Sequence, residues 1–214
     1  MTALLLPSFV SAKEEAKEEA KSDAKRLVPR VVVLGDSITA GYGLKKEEAY
    51  PELLRKMAAD EGRAITVVNA GLSGDTTRGG LRRLAVLARQ PMDILVIALG
   101  GNDGLRGIEP KVSQRNLELM IDRARASHPE VHVLLAGMQM PDNMGEEYTR
   151  EFQRIFAAVG KKKQVAVLPF LLEGVAMDKD LNLADGIHPN ARGQQVVARH
   201  VYPALKALIE ASEE

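Results

Sequence analysis

A serine stands where a buried strand is expected to end. Val31–Leu34 is a continuous apolar run, typical of a strand buried on both faces, and Gly35-Asp36-Ser37 follows it directly. The glycine allows a tight turn, and a helical turn that begins at Ser37 would point its N–H groups towards an anion. Such a serine is a nucleophile when a neighbouring base removes its proton, and otherwise only the N-cap of a helix.

One of the four histidines has the surroundings of a base. His188 lies in Asp185-Gly186-Ile187-His188-Pro189-Asn190, just before the last predicted helix. A carboxylate three residues earlier can fold back onto Nδ1, which sets the tautomer and stabilises the imidazolium. The simpler interpretation is a loop before a helix that starts near Pro189. The other three histidines occupy a loop, a strand start and the last helix, and suggest no chemistry: His128, His132 and His200.

Acyl transfer also requires donors that hold the oxyanion of the tetrahedral intermediate. The sequence offers three at the ends of three predicted strands: the Ser37 N–H, the backbone N–H of Gly74 and the side-chain amide of Asn102. Gly74 and Asn102 are also common turn residues, so each has a purely structural interpretation. Three strand ends that supply donors near one serine favour an ester-hydrolysing site.

Composition and motifs exclude several other classes of protein. The chain has no cysteine, so it has neither a catalytic thiol nor a disulfide. Its 29 basic and 29 acidic side chains balance, which argues against a nucleic-acid partner. No P-loop, dinucleotide fingerprint or His-Glu-x-x-His spacing occurs, and no apolar run is long enough to span a bilayer. We therefore expect no cofactor, no metal and no transmembrane segment; the oligomeric state is left open.

Five apolar runs alternate with helical patterns, which predicts an α/β fold with a five-stranded parallel sheet covered on both faces. The predicted strands are Val31–Leu34, Ile65–Val68, Ile94–Leu99, Val131–Ala136 and Val165–Leu168. The predicted helices are Glu47–Asp60, Thr76–Arg89, Val112–Ser127, Glu146–Val159 and Gln194–Glu210, and the second should turn Leu81, Leu84, Ala85 and Leu87 inward. Ligands bind at the carboxyl ends of such strands, where the polar and glycine residues of this sequence collect.

The N-terminal residues differ in composition from the rest. Residues 1–12 are apolar and end in Val10-Ser11-Ala12, and residues 13–26 are almost entirely charged or alanine. This pattern favours a signal peptide remnant and a charged linker, and hence a periplasmic or secreted protein. A solvated tail on a cytoplasmic protein is the alternative. We predict a leader over residues 1–29 and a single catalytic domain over 30–214.

Several blocks together resemble the GDSL, or SGNH, hydrolases. Gly35-Asp36-Ser37-Ile38 resembles the first block, with Ile38 as a mild departure, and the four letters S, G, N and H match Ser37, Gly74, Asn102 and His188. The resemblance covers about residues 30–210. It implies a flavodoxin-like three-layer α/β/α fold, a triad of Ser37, Asp185 and His188, and an oxyanion hole formed by Ser37, Gly74 and Asn102. The Gly-Leu-Arg-Gly sequence after Asp103 looks like the branch of bacterial thioesterases, lysophospholipases and arylesterases, which implies an acyl-enzyme mechanism on small esters or thioesters.

Two loops at the same rim combine glycine with apolar side chains, and we predict that they bind the acyl group: Leu105, Ile108, Met138, Met140 and Pro141. The alternative is that Leu105, Ile108 and Met138 belong to the core. Two other functions compete with an acyl esterase: a carbohydrate acetylesterase on the same fold and a non-catalytic binding module. The α/β-hydrolase fold fits less well, because Thr39 stands where its Gly-x-Ser-x-Gly motif ends in glycine.

Overall fold

The computed structural model describes residues 28–213, and a five-stranded parallel sheet forms their centre. The strands occur in the order β2-β1-β3-β4-β5 across the sheet, and every neighbouring pair is parallel. Their bounds are β1 Arg30–Gly35, β2 Thr66–Gly71, β3 Ile94–Ala98, β4 His132–Ala136 and β5 Ala166–Leu168. The predicted fold class and all five predicted strands are confirmed.

Helices cover both faces of the sheet. They are α1 Ser37–Ala40, α2 Tyr50–Asp60, α3 Thr77–Leu87, α4 Gly101–Leu105, α5 Pro110–Ser127, α6 Glu146–Lys163 and α7 Ala191–Ser212. Two short 3₁₀ turns, Lys46–Glu48 and Asp142–Met144, complete the regular structure of the described residues. Helices α3, α5 and α6 pack side by side as one layer, while α2 packs against α7 in the other.

The strand order determines where a ligand can bind. The chain leaves β1 towards β2 on one side of the sheet and then continues from β3 to β5 on the other. Crossovers therefore diverge between β1 and β3, and a crevice opens at the carboxyl ends of these two strands. Ser37 lies two residues after the end of β1, and Asn102 lies in the short helix after β3. The topology alone brings these two predicted site residues together.

Three local expectations differ from the structure. The helix predicted over Glu47–Asp60 is interrupted at Ala49, because Pro51 has no N–H and occupies the first turn of α2. Ala85 was expected on the inner side of α3 but is exposed, while Thr77 and Leu84 are buried. Helix α4 was not predicted, since five residues are too few to show a helical period.

The predictions for the N-terminal leader lie almost entirely outside the described residues. Residues 1–27, including the cleavage motif at Val10-Ser11-Ala12, are not among them. The boundary between residues 29 and 30 and the export of the protein therefore stay predictions.

Candidate active site

Ser37 is the first residue of α1, immediately after β1. The Asp36 side chain caps this helix by accepting the Ile38 N–H at 3.0 Å. Gly35 is required here because a Cβ at this position would overlap the side chain of Thr39. The strand therefore turns into the helix within two residues, and the N–H of Ser37 is left without a partner inside the helix.

Ser37, His188 and Asp185 form one hydrogen-bonded chain. The Ser37 Oγ lies 2.9 Å from Nε2 of His188, and Nδ1 of the same ring lies 2.8 Å from Oδ2 of Asp185. An ionised carboxylate can only accept, so Nδ1 carries the proton and Nε2 is free to accept from the serine hydroxyl. This arrangement can activate the hydroxyl as a nucleophile.

The backbone around His188 keeps Asp185 ionised. The other carboxylate oxygen, Oδ1, accepts the N–H groups of His188 at 3.0 Å and Ile187 at 2.9 Å. These two backbone hydrogen bonds, followed by the bond from the imidazole, lower the pKa of Asp185 to about 2. Asp185 is therefore negatively charged at any pH at which an imidazole is neutral.

An aromatic ring that the sequence analysis missed lies against His188. The rings of Tyr42 and His188 have centroids 4.5 Å apart and planes inclined by 37°. The Tyr42 N–H donates to the Ser37 carbonyl at 3.0 Å, which joins the end of α1 to its first residue. Tyr42 is about half exposed, so its ring forms part of the rim of the site.

Arg83 ties the ends of β1 and β2 together beside the serine. Its guanidinium donates to the carbonyls of Gly35 at 2.9 Å and Ala70 at 2.7 Å, and it is paired with Asp75. Gln194 of α7 anchors the other side of α1 by donating to the Ile38 carbonyl at 3.0 Å. These contacts come from positions far apart in the chain, so no sequence motif identified them.

The candidate oxyanion donors have different surroundings. Asn102 borders the same cavity as Ser37, and its Nδ2 lies 3.4 Å from Oδ2 of Asp36. Gly74 does not line the cavity; it has φ +77°, a conformation that favours glycine, and its carbonyl accepts from Arg106 at 2.8 Å. Arg106 thereby connects the loop after β2 to the end of α4, next to Asn102.

A cavity of about 440 Å³ opens beside Ser37 and His188. Four of the five residues predicted to bind the acyl group line it: Leu105, Met138, Met140 and Pro141. Ile108 does not line it, and this prediction is corrected: Ile108 is half-buried near α6, where Tyr148 donates to its carbonyl at 2.8 Å. The alternative interpretation placed Leu105 and Met138 in the hydrophobic core. Leu105 does not belong to the core, because it is 49% exposed, whereas Met138 is buried and also lines the cavity.

A large part of the apolar lining was not predicted from the sequence. The segment between β5 and α7 and the residue before His188 contribute Phe170, Leu172, Ala176, Met177 and Ile187. Their position in the chain could have identified these residues, because the segment follows the carboxyl end of β5 and leads to His188 at the same rim of the sheet. The lining of the cavity is therefore mostly apolar, and its polar members include Asp36, Ser37, Asn102, Gln139 and His188.

Asp36 is a second carboxylate at the serine end of the cavity, and it is almost completely buried. Burial raises its pKa to about 6, against the lowering effects of the Ile38 N–H and His188, and Asp75 raises it further. The protein therefore stabilises the ionised form of Asp36 much less than the ionised form of Asp185. The sequence analysis assigned no role to this residue.

The raised pKa of Asp36 predicts a cost in stability at neutral pH. Between about pH 4 and pH 6 the unfolded chain loses this proton while the folded chain keeps it, so stability falls as the pH rises through this window. A shift of this size corresponds to roughly 2–3 kcal/mol. Asp36→Asn resembles the protonated acid, and we expect it to raise the free energy of unfolding at about pH 8 and to leave it unchanged near pH 4. Urea denaturation at both pH values checks this, and a variant that is less stable at about pH 8 would contradict it.

Residues 28–213 contain neither a cluster of metal ligands nor a membrane-spanning helix. No cluster of three or more His, Asp or Glu residues there is arranged to hold a metal ion. None of the helices in this part of the chain has the length and apolar character needed to cross a membrane.

Comparison with known proteins gives consistent matches. Residues 33–196 match the model of the GDSL-like Lipase/Acylhydrolase family. The chain is 46% identical over 180 residues to Esterase TesA of Pseudomonas aeruginosa, an alignment that covers 84% of this chain and 89% of that protein. It is 38% identical to the Arylesterase of Vibrio mimicus, with coverage of 82% and 88%. It is 37% identical to Thioesterase 1/protease 1/lysophospholipase L1 of Escherichia coli K12, with 84% of each chain covered.

Comparison with solved structures agrees with the comparison of sequences. A crystal structure of TesA superimposes with a TM-score of 0.79 at 46% identity, over 84% of this chain and 99% of that one. The alignments cover most of the length of these relatives, and the family match over residues 33–196 spans the residues of the site described above.

Proposed function

Since the chain belongs to the GDSL-like lipase/acylhydrolase family, in which its relatives are esterases, we propose that Ser37, His188 and Asp185 are the catalytic triad of a carboxylic ester hydrolase. The observation that carries this proposal is the hydrogen-bonded chain from Ser37 through His188 to Asp185 at the mouth of an apolar cavity. Labelling by a fluorophosphonate tests it, because the reagent reacts with an activated serine. Failure of Ser37 to label in the folded protein would contradict it.

The reaction proceeds in two steps. Ser37 attacks the ester carbonyl while His188 takes the hydroxyl proton, and the ring then gives this proton to the leaving alcohol or thiol. Water repeats the sequence, with His188 again as base, and releases the carboxylic acid and the free serine. Asp185 holds the ring and balances the charge of the imidazolium in both steps.

Donors for the oxyanion come from three elements. The N–H of Ser37 lies at the start of α1, the amide of Asn102 borders the cavity from α4, and Gly74 supplies a backbone N–H from the loop after β2. The bond from Arg106 to the Gly74 carbonyl supports this role, because it holds the Gly74 loop close to the end of α4. Such donors act on charge that exists only in the transition state, so they increase kcat more than they lower KM.

The substrate is proposed to be an ester or thioester with an apolar acyl or aryl group. The cavity beside Ser37 is lined mainly by apolar side chains, which come from α1, from α4 and from the segments after β4 and β5. Two relatives carry the names Arylesterase and Thioesterase 1/protease 1/lysophospholipase L1, and we infer the ester or thioester class of the substrate from these names. Activity restricted to acetyl esters of sugars would contradict this choice and favour the carbohydrate acetylesterase alternative.

The cavity predicts which substitutions change chain-length preference. Leu105→Ser removes apolar surface from the lining, and each methylene in contact with the acyl chain contributes about 0.8 kcal/mol. We expect kcat/KM for octanoyl esters to fall by about tenfold relative to acetyl esters. Ile108→Ser is the matched control, since it removes an apolar side chain from the same segment but outside the lining. Equal losses on both esters in the Leu105 variant, or a chain-length effect in the control, would show that the cavity is not the acyl site.

A further inference from the structure

Asp36 has one carboxylate oxygen that its role as a helix cap does not use. Oδ1 accepts the Ile38 N–H, which accounts for the capping of α1. Oδ2 faces Nδ2 of Asn102 at 3.4 Å, a long hydrogen bond in the free enzyme. Both residues border the cavity, and Asp36 is 3% exposed. A buried carboxylate that served only as a cap would be a costly choice, because a neutral Asn or Ser caps equally well.

The chemistry of the two side chains makes this contact directional. The amide of Asn102 has a donor, Nδ2, and an acceptor, Oδ1, which exchange places when the amide rotates by half a turn. Only Nδ2 can stabilise an oxyanion, whereas Oδ1 would repel it. An ionised carboxylate accepts and cannot donate, so Oδ2 of Asp36 selects the orientation in which Nδ2 faces it. Nδ2 has two hydrogens, so one can bind Asp36 while the other remains for the substrate.

We propose that Asp36 is a positioning residue that fixes the amide orientation of Asn102, so that Nδ2 rather than Oδ1 serves the oxyanion. This inference rests on the proposed role of Asn102 in the oxyanion hole. Asp36 lies at the start of α1 and Asn102 in α4, at the two sides of the crevice between β1 and β3. The contact therefore aligns the helix of the nucleophile with the helix of the oxyanion donor.

Two other roles for Asp36 make different predictions. If Asp36 serves only as the N-cap of α1, it affects only the stability of that helix, and Asn or Ser at position 36 would cap it equally well. An electrostatic partner would act on the imidazolium of His188, the cation that faces Asp36, with Asp75 as the neighbouring anion. Neither the capping role nor the electrostatic role depends on Asn102. Removal of Asn102 therefore distinguishes both from the proposed positioning role.

The decisive variant is Asp36→Asn. It keeps an oxygen for the Ile38 N–H but places an NH₂ group opposite Nδ2 of Asn102, so the Asn102 amide turns over to accept from it. We expect kcat to fall by about tenfold to a hundredfold, within the effect of losing one oxyanion donor, while KM changes by less than about threefold. Asp36→Ser also keeps a cap, but its side chain is shorter and places no NH₂ group opposite Asn102, so its loss of kcat should be smaller. Equal and mild effects of the two variants would indicate a cap alone and overturn the proposal.

The double variant Asp36→Asn/Asn102→Ala completes the test. If Asp36 acts through Asn102, the double variant has the same kcat as Asn102→Ala. A loss that persists in full on the Asn102→Ala background would overturn the proposal and indicate a direct effect on His188. A single variant Asn102→Ala with unchanged kcat would instead overturn the oxyanion role of Asn102 and, with it, this inference.

Asp93→Asn is the matched control. The Asp93 carboxylate also accepts a backbone N–H, that of Arg30, but it lies outside the cavity.

Discussion

Ser37→Ala is expected to abolish ester hydrolysis while the protein stays folded. The Ser37 hydroxyl is bonded to His188, whereas α1 is capped by Asp36, so alanine removes the nucleophile and leaves the helix intact. Loss of a nucleophile of this kind lowers kcat by roughly four to six orders of magnitude, and what remains comes from binding and the oxyanion donors. Hydrolysis of a chromogenic ester, together with an unchanged thermal melt, checks the prediction.

The residues of the proposed triad should act as a unit, which provides an internal control. His188→Ala should cost nearly as much as Ser37→Ala, and the double variant should be no slower than either single one. Ser212→Ala removes a serine whose hydroxyl donates to the carbonyl of Ile209 in the last turn of α7, and it should leave kcat unchanged. A Ser37→Ala enzyme with kcat within tenfold of the parent would contradict the assignment of the nucleophile.

Asn102→Ala is expected to lower kcat by about 10²–10³, the usual effect of removing one oxyanion donor. Its side chain borders the cavity, and among the described residues its amide is bonded to Asp36 alone. The loss should therefore appear in the transition state and leave KM nearly unchanged. Steady-state kinetics on a short-chain ester measure both constants.

The same measurement distinguishes a donor from a substrate-binding group. A higher KM with unchanged kcat would mean that Asn102 binds the ground state and the transition state equally, which would exclude it from the oxyanion hole. Gln153→Ala, which removes an exposed amide from α6, is the control for a general effect of losing such a group.

The fold and the three residues of the proposed triad could be predicted from the sequence. Apolar runs such as Val31–Leu34 alternate with helical patterns, and this local signal depends only on neighbouring residues, so the parallel sheet and its bounds could be predicted closely. The pairing of His188 with Asp185 is also local, because the two residues are three positions apart and the intervening backbone folds the carboxylate onto the ring. Ser37 could be joined to them because strand ends meet at one rim of a parallel sheet.

The tertiary structure decided which groups surround those three. Leu105 and Ile108 lie in one segment with the same apolar character, yet Leu105 lines the cavity and Ile108 does not, and the carbonyl of Ile108 accepts from Tyr148 of α6. The contacts of Asp36 with Asn102 and of Tyr42 with His188 join elements that are far apart in the chain. Burial of Asp36 depends on all the elements that close around it, and so does the energy of its charge. Periodicity reports which face of an element is apolar, but the distances between side chains of different elements arise only when those elements pack.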